Sequence, residues 1–279
     1  MKRKPGRIAA VAGKYLALIL ISLLLIFPFY WMIITSLKHY TQIFVFPPEL
    51  FPASLTLENY AELFNAMPFW RYMKNSLLVS CVNCVGILGV TCMAAYAFAK
   101  IRFKGSSALF LLFLAGLMIP VEVITVPLYF LLGKVGWVDR LISLTVPSIF
   151  GSAGVFGLFI LRQFFITVPD ELIEAGKIDG CSHLRTLFTI VMPMAKSAVA
   201  TLVIFTFANC WNDFFQPLIF LNTQANYTLP LGLAMFTDES GTKWHLIMAA
   251  SSLATVPLLV VFFCSQRKFI ESMAMSGLK

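Results

Sequence analysis

Six stretches of this 279-residue chain, at residues 15 to 36, 75 to 99, 108 to 132, 142 to 161, 198 to 220 and 246 to 264, are strongly apolar. An α-helix needs about 20 mostly apolar residues to cross the roughly 30 Å hydrocarbon core of a bilayer, so each window reads as one span. Hydrophobic residues make up 59% of the chain and charged residues 12%, against about 25% charged in ordinary soluble domains. The reading is an all-α, polytopic membrane protein with six transmembrane helices, in which residues 1–279 form a single transmembrane domain.

The net charge of +8 does not point to nucleic acid, because its carriers are spread over short connections rather than gathered on one face. With the N-terminus placed in the cytoplasm, 15 of the 21 Lys and Arg fall on inner segments, and only Lys38, Arg71, Lys74, Lys134, Arg140 and Lys243 fall on outer ones. That is the bias of the positive-inside rule. It predicts a multi-pass protein of the cell membrane with both termini cytoplasmic, at 1–14 and 265–279. The basic start resembles a secretory signal, but the apolar run from Tyr15 to Ser36 exceeds the roughly 7 to 15 residues of a signal core. It is read as a retained first span.

Five of the six cysteines, Cys81, Cys84, Cys92, Cys210 and Cys264, lie in apolar windows and Cys181 in a loop, so no disulfide framework is expected. The Cys81-x-x-Cys84 pair has no second ligand pair nearby and reads as helix packing rather than a redox or zinc site. His183 and His245 have no carboxylate or cysteine at ligand spacing. No metal site and no cofactor are expected.

The longest polar connection, 37–74, reads as an extracytoplasmic loop holding a short helix, with Leu57, Tyr60, Ala61 and Phe64 along one face and Trp70 and Tyr72 at the membrane interface. In span three, Pro120 and Pro127 flank Glu122. Each proline removes a ladder hydrogen bond, which predicts a kink there, and the freed carbonyls place this part of the span toward the protein interior.

Between spans four and five, residues 165–193 read as a helix, a glycine corner and a second helix on the cytoplasmic surface. Thr167-Val168-Pro169-Asp170 has the form of a capping box, with Asp170 and Glu171 favourable to the helix dipole. Leu172, Ala175, Gly176 and Asp179 fall along one face, Gly180 offers a left-handed stop, and Ser182 caps the next helix, which climbs through Ile190 and Pro193 into span five. Such an elbow suits transmission of movement from a soluble partner and has no catalytic group.

The spacing Glu174-Ala175-Gly176, two residues, Asp179-Gly180, nine residues, Ile190-Val191-Met192-Pro193 resembles the EAA motif of the permease subunits of ATP-binding-cassette importers. Gly176 and Met192 depart from the motif's second alanine and its leucine. Leu57-Glu58-Asn59-Tyr60, Asn75-Ser76, Met118-Ile119-Pro120, Leu161 to Phe165, Trp211 to Phe214 and Gln266 to Ile270 are similar to the carbohydrate-importer, MalG-like branch, so the likeness covers nearly the whole chain. It implies the MetI-like fold of type I importer permeases. It also implies a second permease subunit forming a heterodimer, two cytoplasmic ATPase subunits and an extracytoplasmic solute-binding protein. By the same resemblance the loop is the coupling helix, with Glu174, Ala175, Gly176, Asp179 and Gly180 as its ATPase contacts, and the tail after Gln266 also reaches the ATPase pair. Hydrolysis belongs to other subunits, since the chain contains no G-x-x-x-x-G-K-[ST] loop.

Ionisable groups inside spans are costly and usually face an interior or a water-filled path. Glu122 and Asp213 are the two here, and Asp213 lies beside Asn209, Trp211 and Asn212. An aromatic face next to amides and a carboxylate suits a sugar, so these five residues are candidates for the translocation path. The alternatives are interhelical hydrogen bonding or an outer gate for Asn212 and Asp213, and, for Glu122, closure of the backbone broken at Pro120. The absence of Lys and Arg from the six windows favours a neutral sugar over glycerol 3-phosphate. An autonomous channel or secondary transporter would often show inverted repeats, and no symmetric halves are visible. An intramembrane enzyme would need a histidine-carboxylate constellation that Glu122 and Asp213 do not supply.

Overall fold

The computed structural model describes residues 5–52, 54–238 and 241–276. The first and last few residues of the expected cytoplasmic ends, 1–4 and 277–279, lie outside the described residues. In chain order the elements are α1 (Pro5–Ser36), α2 (Glu58–Ala66), α3 (Phe69–Lys100), α4 (Ser106–Gly116), α5 (Val121–Lys134), α6 (Ile142–Phe150), α7 (Ser152–Ile166), α8 (Asp170–Ile178), α9 (His183–Thr186), a π-helical segment (Leu187–Val191), α10 (Met192–Met194), α11 (Lys196–Trp211), α12 (Phe215–Phe220), α13 (Leu229–Ala234), β1 (Thr237–Asp238), β2 (Gly241–Thr242) and α14 (Trp244–Ser276).

Val11–Ser36, Phe69–Lys100 and Trp244–Arg267 are each long and apolar enough to cross a membrane. Three bent pairs pass the same test: α4 with α5 (94°), α6 with α7 (40°), and His183–Met194 with α11 (86°). Up to six crossings result if each bent pair is one span; the first two pairs coincide with the windows 108–132 and 142–161, whereas the third begins at His183, ahead of the window 198–220. Two windows are interrupted more sharply than sequence suggested. Pro120 stands at the N-cap of α5, and the chain turns at 117–120, where the N–H groups of Leu117, Met118 and Ile119 donate back to Leu114, Ala115 and Gly116 (3.0, 3.1 and 3.4 Å). These bonds occupy the three N–H groups before Pro120. Met118 is 85% exposed, and Ile119 and Glu122 are exposed as well. The window 198–220 is not one helix either: α11 ends at Trp211, and Pro217 inside α12 denies an N–H to any helix running on through Asp213.

The chain divides into two compact units, one of Met1–Phe69 with Met235–Thr255 and one of Trp70–Ala234 with Val256–Lys279. In the first, residues 11–29 of α1 are all exposed, as befits a helix apolar on every side. Its last carbonyls are closed by α2, because the Asn59 amide donates to Ser36 O (2.8 Å) and Lys38 O (2.7 Å). That polar duty sets the inward face of α2. Asn59 and Leu63 are buried, while Leu57, Ala61 and Phe64, expected to share the apolar face, are exposed. Lys38 is buried with its Nζ 4.5 Å from the Trp31 ring centroid and donating to Glu49 O (2.6 Å). His245, buried against the Tyr40 ring, has Nε2 3.3 Å from the Glu62 carboxylate, a neighbour that sequence spacing did not predict. β1 and β2 form a two-residue antiparallel ladder, Thr237 opposite Thr242 and Asp238 opposite Gly241.

The core of the second unit joins Ile87, Cys92 and Tyr96 of α3, Phe110 of α4, Leu158, Leu161 and Phe165 of α7, Leu187, Val191 and Leu202. Tyr72, expected at the membrane interface, is 1% exposed, with its ring in the space a side chain on Gly232 would take. Trp70 remains exposed. In the turn after α5, Asp139 adopts a left-handed φ of 59°, a conformation Asp tolerates better than most residues. Its carboxylate accepts from the Thr223 hydroxyl and from the backbone N–H groups of Asn222 (2.9 Å) and Thr223 (2.8 Å). Its carbonyl accepts from the Asn226 amide (2.6 Å).

The Thr223 hydroxyl first, then the Thr223 and Asn222 backbone donors, hold the Asp139 pKa down to about 2. A carboxyl depressed in the fold stabilises it above the unfolded pKa of about 3.9, and that contribution disappears as pH falls through the folded value. The Asn222 and Thr223 amides are therefore expected to stay protected from hydrogen exchange near neutral pH and to lose protection between about pH 4 and pH 2. In Asp139→Asn that pH step should vanish and local opening should become easier by about 1 kcal/mol.

Candidate functional site

The residues that resemble the motif form an elbow of two helical arms, α8 and the segment that starts at α9. α8 begins immediately after Pro169, which occupies the N-cap position without a side-chain cap. Thr167 does not cap it, because its hydroxyl donates to Phe164 O (2.7 Å) at the end of α7. The start of α8 is held instead by Lys100 at the end of α3, whose Nζ donates to Val168 O (2.5 Å) and to the Asp170 carboxylate (2.6 Å). That hydrogen bond and then the Lys100 charge keep the Asp170 carboxyl below its usual range. Beside it Arg162 donates through Nε to Phe98 O (3.3 Å), with its guanidinium 4.1 Å from the Phe110 ring centroid.

α8 ends as its sequence predicts. Gly180 takes φ +79°, the Cys181 N–H donates to Gly176 O (2.9 Å) and the Gly180 N–H to Lys177 O (3.0 Å), which is the Schellman closure. Ser182 then caps α9 by accepting from the Arg185 N–H (3.3 Å). The second arm widens into the π-helical turn Leu187–Val191 just before Pro193, whose ring disturbs the ladder. Rather than climbing straight into span five, it bends by 86° at Ala195. On α8 the inward residues are Ile173 and Gly176. A side chain on Gly176 would meet Ile190 Cδ1 at 2.9 Å, so this glycine lets the two arms touch and does not share the outer face with Leu172 and Ala175. Glu174, Ala175, Asp179 and Gly180 are exposed, and Ile178 is 87% exposed.

A second feature is a cavity of about 440 Å³ between α5, α6, α7, α11 and α12. Glu122, Asn209 and Asp213 all line it, with Ser148, Ser152, Thr206 and Gln216 adding polar groups and Phe156 and Phe215 aromatic ones. Asp213 Oδ1 accepts from the Gln216 N–H (3.2 Å) and so starts α12. Glu122 sits in the first turn of α5 and lines the cavity. The other two expected path residues are not brought to the cavity. Trp211 is 3% exposed and stacks on Phe207 (5.5 Å, 11°), and the Asn212 amide turns back to Ala208 O (2.8 Å). The ring faces available in the cavity are those of phenylalanines, not of Trp211. Among the described residues no group of three or more His, Cys, Asp or Glu could hold a metal ion.

Residues 87–274 match the family described as binding-protein-dependent transport system inner membrane component. The chain belongs to this family. It is 32% identical over 269 residues, 96% of each chain, to the inner membrane ABC transporter permease protein YcjP of Escherichia coli (strain K12). It is 33% identical over 262 residues, 93% of each chain, to the arabinooligosaccharides transport system permease protein AraQ of Halalkalibacterium halodurans. A third relative, 31% identical over 257 residues (89% of this chain, 90% of the other), is the sn-glycerol-3-phosphate transport system permease protein UgpE of Escherichia coli O1:K1 / APEC. The fold is that of a chain in the crystal structure of a bacterial ABC transporter involved in the import of the acidic polysaccharide alginate. The TM-score is 0.81 at 18% identity, covering 96% of this chain and 99% of that one.

The protein is thus a multi-pass inner-membrane permease subunit of an ABC transporter, not an enzyme, and ATP hydrolysis resides on separate subunits. In this permease Lys100 and Arg162 are residues whose anchoring roles sequence reading missed. Lys100 had registered only as an inner-side charge and Arg162 as that and as part of the resembling segment Leu161 to Phe165, and nothing local reveals that their partners lie 64 to 70 positions away. Because the Gly176 contact is with the flexible end of Ile190, Gly176→Ala is expected to cost less than about 1 kcal/mol, whereas Gly176→Val should part the arms and cost about 1 to 3 kcal/mol. Thermal unfolding of the two variants in detergent measures the difference.

Proposed function

We propose that residues 165–193 are the element through which this permease is coupled to one of two cytoplasmic ATPase subunits. Glu174, Ala175, Asp179 and Gly180 form the docking surface, and Gly176 holds the arms together from inside. The observation that carries the reading is an elbow locked by backbone hydrogen bonds and Lys100 at its root, yet exposed along its tip. A lever needs that combination. The permease pairs with a second, similar subunit, receives cargo from an extracytoplasmic solute-binding protein, and keeps both termini in the cytoplasm, as the distribution of Lys and Arg supports.

The cargo we assign is an uncharged carbohydrate. This chain's half of the path includes Glu122, Asn209 and Asp213, and no Lys or Arg lines the cavity. Hydroxyls find amide, carboxylate and serine partners there, and Phe156 and Phe215 offer faces to ring hydrogens. Relatives named for arabinooligosaccharides and diacetylchitobiose accord with it. Glycerol 3-phosphate is the second reading, favoured by the relative named for that solute, but its phosphate would need a cation from another subunit.

Gly180→Pro removes a donated N–H and forbids the left-handed φ, and Asp179→Lys reverses a charge beside it. Both are expected to reduce uptake and substrate-stimulated ATPase activity of the reconstituted transporter to background while the chain stays inserted at normal levels. Robust uptake by either variant, or solute movement through this chain alone, defeats the assignment.

A further inference from the structure

A recess of about 520 Å³ lies where α3 ends and α4 begins, lined by Lys100, Arg102, Lys104 and Ser106 and closed on one side by Asp170 of α8. Three cations thus face one carboxylate. Lys100 is matched by Asp170, and its side chain is 5% exposed. Arg102 and Lys104 are exposed and have no ion-pair partner among the described residues. Their intervening neighbour Phe103 turns aside to pack on Phe98 (5.5 Å between ring centroids). The lip of the recess is the N-terminus of an 11-residue helix. Gly105 there adopts φ +82° with nothing within 4 Å of where a side chain would begin, and no side chain caps α4. The Ser106 N–H is used by Phe103 O (3.4 Å), but no acceptor is recorded among the described residues for the N–H groups of Ser107 and Ala108.

Arg102 and Lys104 with no ion pair within 4 Å, Arg102 acting on Asp170 only at longer range, a third cation shared with Asp170, and uncapped first-turn N–H groups make a site for a compact anion with several acceptor oxygens. The site sits at the end of two apolar helices, beside half-exposed Ile101 and exposed Phe103, the depth at which lipid head groups lie. Basic pockets between membrane helices are suited to anionic head groups. We infer that this recess binds the phosphate of an anionic glycerophospholipid. Because Lys100 both lines the recess and holds the start of α8, an occupying phosphate shares the cation that anchors the elbow.

The test uses the purified full-length chain in neutral detergent. Dioctanoyl phosphatidylglycerol, dioctanoyl phosphatidylcholine and inorganic phosphate are titrated separately, with bound molecules counted by native mass spectrometry. The wild type is expected to bind phosphatidylglycerol saturably and in preference to phosphatidylcholine. Arg102→Gln with Lys104→Gln should weaken that binding by about thirtyfold, roughly fivefold per cation. Arg102→Lys with Lys104→Arg should restore it. Both residues are exposed, so the fold survives the change, and equal helicity by circular dichroism checks this. If inorganic phosphate binds unaided and displaces phosphatidylglycerol one for one, the occupant is a soluble anion and the lipid assignment is overturned. Equal retention of the two lipids, or undiminished phosphatidylglycerol binding in the Gln variants, overturns the site altogether. None of these readouts depends on transport, so they stand or fall separately from the coupling reading.

Discussion

Lipid offers the peptide group no partner, so every interruption of a span in this permease must close its own hydrogen bonds. The turn at 117–120 does so with three short-range bonds behind Pro120, and the break at 212–214 with the Asp213 carboxylate, which takes the Gln216 N–H. The elbow at 178–182, outside the spans, closes in the same way with the paired bonds around Gly180 and the Ser182 cap. Each closure fixes a corner rather than loosening the chain. The corners also decide where polar side chains gather: Glu122 follows the first, Asp213 forms the second, and the two meet in one cavity.

Charge anchors the elbow where backbone bonding cannot. Lys100 is nearly out of solvent and bonded to both a carbonyl and a carboxylate, and Arg162 pairs a carbonyl with an aromatic face. Lys100 Nζ is withdrawn from solvent, so losing its acceptors would leave a charge without partners. The root of α8 is therefore hard to shift independently of α3, while Ile178 and Asp179 at the tip remain exposed. That gradient from a stiff root to an open tip lets a push at the surface reach the spans.

The elbow was legible where its chemistry is local. Gly180 next to Asp179 and Ser182 two residues on act through neighbours in the chain, and the structure has each doing what its type predicts. Thr167 was misread because its hydroxyl donates to the carbonyl of Phe164, three residues back. The misreadings of Gly176 and Trp211 share another cause. Which side of a helix points inward depends on what packs there, and Ile190 and Phe207 supply that packing.

The six apolar windows, the distribution of Lys and Arg, and the motif spacing were enough by themselves to establish a helical membrane protein of the importer-permease kind, because span length and corner chemistry are properties of short segments. Tertiary structure alone decided that the third span breaks by 94°, that the elbow's second arm meets α11 at 86°, that Glu122, Asn209 and Asp213 share a cavity which excludes Trp211 and Asn212, and that Lys100 grips Asp170. Those facts rest on contacts between residues tens of positions apart. Their energy depends on distance in space, and a linear pattern of residue types carries no record of it.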